Sequence, residues 1–219
     1  MIIRKIEIEV NKINNSNEFS YNIKKKSKHI TNFINRTCLS KLKFQSENFR
    51  MLVISLENRM GSPSIINNGL VIPLIYGNKT YMSLVTDDEF RSFFYQSIID
   101  GLNQIKNSYN IPFDKILQSL DNFKKNEFIN EWIFKKKRSK KPNCEAMLIC
   151  NLSIEKFRLK LIVLKDNQII FDKIILETDP DEIAYEYRFN DLVIKEDKII
   201  VTSKYTSNLF EINTNTINL

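Results

Sequence analysis

Gly69-Leu70-Val71-Ile72-Pro73-Leu74-Ile75-Tyr76, then Gly77-Asn78, then Lys79-Thr80-Tyr81-Met82-Ser83-Leu84-Val85 is the stretch from which the fold is read. Two apolar runs flank a two-residue loop whose members tolerate positive φ, which is the pattern of a β-hairpin. Pro73 cannot donate a ladder hydrogen bond, so its strand is expected at a sheet edge or beside a bulge. The chain continues with Thr86-Asp87-Asp88-Glu89, a capping box at the start of a helix. The Thr hydroxyl accepts from the N–H three residues on, Glu89 reaches back, and the acids favour the positive helix end. Phe90, Phe94, Ile98, Leu102 and Ile105 recur at helical spacing, which predicts a helix over 87–106. Pro112 opens a second one over 112–123, with Phe113, Ile116, Leu117, Leu120 and Phe123 on one side. Both stripes need an apolar partner, and a sheet is the expected one. Phe90, Phe94, Ile98, Leu117 and Leu120 are therefore the expected core.

Working outward, Ile6, Ile8 and Val10 alternate with Glu7 and Glu9, which predicts a half-buried strand. Residues 11–22 read as an Asn/Ser-rich loop, with a loose strand around 19–23. A helix is expected from about residue 27 to 42, with Ile30, Phe33, Ile34, Cys38 and Leu42 on one face and His29 at its exposed start. Residues 49–56 read as a buried strand, and 57–68, with Gly61-Ser62-Pro63-Ser64, as a loop. Beyond the helix pair, 131–134 reads as a short strand and 135–141 as a solvated basic loop ending at Pro142. From residue 145 strands dominate: 145–152, 157–164, 169–176, 185–194, 198–203 and a short 209–212. Asp166-Asn167 and Glu196-Asp197 are the hairpin turns. The expectation is an α+β chain with a mainly antiparallel sheet and a central helix pair. It divides into an α+β portion, 1–142, and a β-rich portion, 143–219, or forms one continuous domain.

The 219 residues, 42% hydrophobic and 27% charged, suffice for a substantial core and exclude wholesale disorder. The apolar runs are too short to cross a bilayer. The first ten residues carry carboxylates where a secretory leader would be apolar, so a soluble, cytoplasmic protein is expected. Cys38, Cys144 and Cys150 have no metal-like spacing and read as free thiols. The net charge of +7 is unevenly placed: residues 1–60 hold 12 Lys/Arg against 5 Asp/Glu, and the remainder hold 21 of each. Lys outnumbers Arg by 25 to 8 in a chain rich in Asn and Ile, the profile of an A/T-rich coding sequence. Basicity alone is therefore weak grounds for a nucleic-acid partner.

Two charge clusters stand out. Residues 135–141 put six cations in seven positions, including Lys135, Lys136, Lys137 and Arg138. Residues 177–191 hold six carboxylates, Glu177, Asp179, Asp181, Glu182, Glu186 and Asp191, against Arg188 alone. The second cluster lacks the alternating acids, central Gly and terminal Glu of a calcium loop. Pro180-Asp181-Glu182 reads more simply as a first helical turn capped by Asp179. No phosphate-binding loop, dinucleotide turn, nucleophile-elbow serine or paired-histidine motif occurs, and His29 is the single histidine. No catalytic residue, metal or cofactor is expected.

A mixed α+β chain of this size, rich in Asn, Ile and Lys and without recognisable chemistry, resembles the immunity proteins of bacterial contact-dependent inhibition and related polymorphic toxin systems. The resemblance is one of general make-up and transfers no site residue. It implies a tight complex with one cognate toxin domain and no turnover. The acidic set Glu177, Asp179, Asp181, Glu182 and Glu186 would suit a basic toxin. Lys135, Lys136, Lys137 and Arg138, with the basic N-terminal third, would suit an acidic one. The alternative is a nucleic-acid-associated protein of phage or mobile-element origin that uses residues 24–28 and 135–141.

Overall fold

The computed structural model describes residues 1–10, 17–59, 61–76, 83–140, 143–205 and 208–214. The protein is an α+β chain that divides into two compact units, Met1–Ile129 and Asn130–Leu219. The change of texture near residue 142 falls within the second unit. Among the described residues six strand pairings are antiparallel and two are parallel. No described helix is long and apolar enough to cross a membrane.

In the first unit a four-stranded sheet runs β1-β2-β4-β3, with β1 Lys5–Val10, β2 Met51–Glu57, β3 Ser64–Ile66 and β4 Gly69–Ile75. β1 and β4 flank β2 in parallel, and β3 pairs antiparallel with β4. The run Leu52–Leu56 is buried throughout because β2 is central in a parallel arrangement, where both faces are covered. The hairpin seen here closes one turn earlier than the one expected. Asn67 and Asn68, with φ of 50° and 64°, join β3 to β4 inside a segment expected to be loop. The expected Gly77-Asn78 turn and most of the second run lie outside the described residues. β4 is interior, but among the described residues β3 pairs only with Gly69–Val71, so Pro73 lies beyond the part of β4 that β3 covers.

α1 spans Asn17–Ile34 and continues through a π-helical turn, Asn35–Leu39, into α2, Ser40–Leu42. It thus begins ten residues before the expected start. Its first eleven residues bury Ser20, Ile23 and Ser27, so two of these three inward positions are small polar residues that an apolar count misses. The π turn aims Asn35 at the free edge of β1. Its Oδ1 accepts from Ile6 N at 2.8 Å, and its Nδ2 donates to Ile6 O at 3.3 Å.

α3, Asp87–Ile105, has the expected capping box: Glu89 N donates to Thr86 Oγ1 at 3.3 Å, and Glu89 Oε2 accepts from Thr86 N at 2.8 Å. It buries Phe90, Phe94, Ile98, Leu102 and Ile105 and packs on β4 and β2. Gly101 permits that approach, since a Cβ there would lie 3.1 Å from Ile54 Cγ1. α4, Phe113–Lys125, packs chiefly on α1, the π turn and α3, so only one of the two central helices rests on the sheet. It buries Ile116, Leu120 and Phe123, and leaves Leu117 half-buried.

His29 is buried, 3% exposed, in the middle of α1 and not at an exposed helix start. Its Nε2 lies 2.9 Å from Phe128 O; a carbonyl only accepts, so Nε2 carries the proton. Glu127 and Phe128 have φ of 52° and 56°, and this bond anchors that left-handed turn after α4.

The second unit holds a meander, β5-β6-β7-β8, and a smaller sheet, β11-β10-β9. Their ranges are β5 Glu131–Lys140, β6 Asn143–Leu152, β7 Phe157–Lys165, β8 Gln168–Thr178, β9 Leu192–Lys195, β10 Lys198–Val201 and β11 Phe210–Asn213. The basic run expected as a loop is therefore the second half of a strand. Residues 185–194, expected as strand, begin instead in the one-turn helix α5, Glu182–Tyr185, capped by Asp181 and not by Asp179. The two sheets share one core, in which Tyr185 and Phe189 both stack in parallel with Phe157, at 3.9 and 5.6 Å. The Tyr185 hydroxyl is buried there with no hydrogen-bond partner.

Two consequences are measurable. Burial first, then the charge of Arg91, lowers His29 to about 4, from an ordinary 6.5. The unfolded chain takes up the proton first, so stability present above pH 6.5 is lost as pH falls toward 4. The slope is about 1.4 kcal/mol per pH unit, and urea denaturation of His29→Gln should lack this component. Tyr185→Phe removes an unsatisfied buried hydroxyl and should raise stability by about 1 kcal/mol in the same assay.

Candidate functional site

The four-stranded sheet of the second unit has two apolar faces, and only one belongs to the core. In β6 the inward residues are Ala146, Leu148, Cys150 and Leu152; in β7 they are Phe157, Leu159, Leu161 and Val163. Strand alternation then turns Glu145, Met147, Ile149 and Asn151 outward, with Arg158, Lys160, Ile162 and Leu164 beside them. Apolar residues at both parities are the mark of a strand covered on both sides. Here the second side is only half-buried.

The edge strands complete the outer face through bulges. β5 shifts register between Ile133 and Lys135, leaving Phe134 unopposed. Before the bulge odd-numbered residues face outward; after it the even-numbered do. β8 shifts at two points, passing over Ile175 and Ile170. The resulting rows read Glu131, Asn151, Arg158, Glu177; then Ile133, Ile149, Lys160, Ile174; then Lys136, Met147, Ile162, Asp172; then Arg138, Glu145, Leu164, Ile169. Strands about 4.8 Å apart with about 3.4 Å per residue give this face roughly 450 Å². Seven of its sixteen side chains are aliphatic or Met, and Ile133, Ile169 and Ile174 are each more than half exposed. Seven of sixteen positions amount to about 200 Å² of apolar face, interleaved with polar and charged side chains.

Ion pairs run between the apolar side chains. Lys160 meets Asp172 at 2.9 Å, Lys136 meets Glu145 at 2.8 Å, and Arg158 Nε meets Glu177 at 2.8 Å. Lys156 also holds Glu177, and these two cations keep its carboxyl below the ordinary range. On this face β7 sets Arg158 and Lys160 against Glu177 and Asp172 of β8, and on β5 Lys136 and Arg138 accompany Glu131.

Of the residues singled out in the sequence, Lys136, Arg138 and Glu177 share this face. Lys135 and Lys137 lie opposite Leu148 and Ala146, on the inner side. Lys135 is paired there with Asp191 at 3.1 Å, which holds Asp191 below its usual range. Asp179, Asp181, Glu182 and Glu186 lie apart, on the connector after β8 and around α5. Asp181 accepts from Ile183 N at 3.1 Å as a helix cap. The basic segment at 24–28 is likewise engaged. Lys24 reaches Glu9 at 2.6 Å, Lys28 reaches Glu7 at 3.3 Å, and Lys26 lies over the Phe90 ring at 4.6 Å.

The seven outward apolar residues were missed by sequence reasoning. The available signal was the unbroken run Leu161-Ile162-Val163-Leu164, with Met147-Leu148-Ile149. All three cysteines are free and buried; burial pushes the Cys38 and Cys144 thiols up. Among the described residues no three His, Cys, Asp or Glu side chains lie together as a metal set. Comparison with known proteins sets nothing beside the chain: no family model, no curated protein and no solved structure matches it.

The face assignment makes adjacent residues unequal. Leu161→Ala should cost about 2–5 kcal/mol, as a buried truncation does. Ile162→Thr keeps strand propensity at a half-exposed position and should cost under about 1 kcal/mol. Guanidinium denaturation of the two variants checks the order.

Proposed function

We propose that this protein is a stoichiometric binding module that holds a partner protein on the outer face of the β5-β6-β7-β8 sheet. The resemblance to immunity proteins makes that partner the cognate toxin domain of a bacterial competition system. The observation that carries the reading is the row structure of the face: seven outward apolar side chains, four of them on the two central strands, interleaved with three ion pairs. Exposed apolar side chains are the anchors of protein interfaces, where a few desolvated residues supply most of the affinity. Paired charges between them favour a partner with complementary charges and fix its register.

The reactive groups of the chain support a role without turnover. His29 is buried, spends its proton on a backbone carbonyl and is hard to protonate. The acidic set around α5 is less well suited than the sheet face, since Asp181 is committed to capping.

The test is co-expression with the toxin encoded beside its gene, followed by pull-down and growth rescue. Ile149→Lys combined with Ile162→Glu should leave the melting transition in place, weaken binding at least about 100-fold and abolish rescue. Glu186→Lys, on the α5 surface, should change affinity by less than about fivefold. Full rescue by the double variant would overturn the assignment of the face.

A further inference from the structure

A groove of about 320 Å³ separates the π turn from α4 in the first unit. That volume is at the small end of ligand sites. α4 turns its apolar stripe, Ile116, Leu120 and Phe123, into the core. Its groove side is Lys115, Gln118, Ser119 and Asn122, at i, i+3, i+4 and i+7. The opposite wall comes from the first helix, where Thr37 and Lys41 face across over a floor of Phe33, Cys38 and Leu42.

The hydroxyls and the charged groups of this groove have different roles. Thr37 Oγ1 donates to Phe33 O at 2.7 Å, so its single proton is committed. At the 3.0 Å contact between Thr37 and Ser119, Ser119 is therefore the donor. Both hydroxyl protons are thus spent on clamping one wall to the other. The donors left over are the ammonium groups of Lys41 and Lys115 and the carboxamides of Gln118 and Asn122. None of these four side chains has a hydrogen-bond or ion-pair partner among the described residues, and no carboxylate lines the groove. Elsewhere in this unit Lys24, Lys28 and Arg91 are each paired with acids. The walls are preset. Asn35 fixes the π turn to β1 through two hydrogen bonds, and Phe33 stacks on Phe123 of α4 at 4.0 Å. π turns of this kind recur at functional sites.

Two cations and two amides lining one groove over an apolar floor, with no acid among the lining residues, match a dianionic head on a hydrophobic body. We propose that the groove between the π turn and α4 is a binding site for a small phosphate monoester carrying an apolar or aromatic group. Lys41 and Lys115 act as point charges on the phosphate oxygens, the amides of Gln118 and Asn122 donate to them, and the body lies on Phe33 and Leu42. This site is independent of the sheet face of the second unit, which can fail as a binding face without affecting it.

The experiment titrates the full chain with phenyl phosphate while amide NMR shifts of residues 115–122 are followed. Inorganic phosphate serves as the head-only probe and benzyl alcohol as the body-only probe. Lys41 and Lys115 are exposed, so Lys41→Gln and Lys115→Gln should fold as the wild type does. Phenyl phosphate should give saturable shifts, weakened about tenfold by either substitution. Inorganic phosphate and benzyl alcohol should each bind more weakly than phenyl phosphate. The proposal is overturned if phenyl phosphate leaves these amides unmoved or binds the double Lys41→Gln, Lys115→Gln variant as it binds wild type. Equal binding of benzyl alcohol would also overturn it.

Discussion

One unopposed residue, Phe134, decides which side chains of the second unit meet solvent. A strand alternates strictly, so a single inserted residue exchanges the two faces for everything beyond it. Before the bulge, Ile133 stands outward against Ile149; after it, Lys136 and Arg138 do, while Lys135 and Lys137 turn to the inner side. Phe134 itself packs edge-on against Phe189, at 4.8 Å, and so is tied to the aromatic stack around Phe157. The bulges over Ile170 and Ile175 do the same work on the other edge strand, sending Ile169 and Ile174 outward. The outer face exists in its observed form because three residues are left out of the ladder. Bulges and lysines on edge strands also discourage edge-to-edge pairing, so the long β5 and β8 edges are less open to aggregation than their length suggests.

The first unit depends on a different economy of space. α1 packs chiefly on β1 and buries Ser20, Ser27 and Thr31 as well as Ile23, Ile30 and Ile34. Two of the hydroxyls bond within the helix, Ser27 donating to Lys24 O at 2.7 Å and Thr31 to Ser27 O at 3.1 Å, whereas Ser20 Oγ is buried with no partner among the described residues. α4 then rests on the helical layer, where Phe123 meets Phe33, His29 and Phe128. A neutral, buried His29 fits this aromatic setting, since a charged imidazolium would be desolvated beside Arg91.

Charge that is segregated along the chain is partly mixed in space. Lys24 and Lys28 reach Glu7 and Glu9 of β1, and the two conspicuous clusters of the second half touch at Lys135 and Asp191. The surfaces that remain are smaller and more specific than the sequence implied. One is a sheet face whose apolar side chains are interleaved with ion pairs. The other is a groove whose two lysines have no acid beside them.

By itself the sequence determined the α+β class, the Thr86 capping box and the α3 stripe, the alternation of β1, and the strands β6, β7 and β8 with the Asp166-Asn167 turn between the last two. Those features are local: periodicities of 3.6 and 2, caps and turns are written in residues a few positions apart. Only the tertiary structure decided the rest. Ser20 and Ser27 are inward positions of α1 although neither is apolar, and His29 is buried where Phe128 returns to it. Residues 135–140 became strand because β6 supplies a ladder, although lysine has little strand preference of its own. The outward face was hidden for the same reason. Its rows are formed by residues up to 46 positions apart, from Glu131 to Glu177, and their register is set by bulges that leave no mark in the pattern of a single strand.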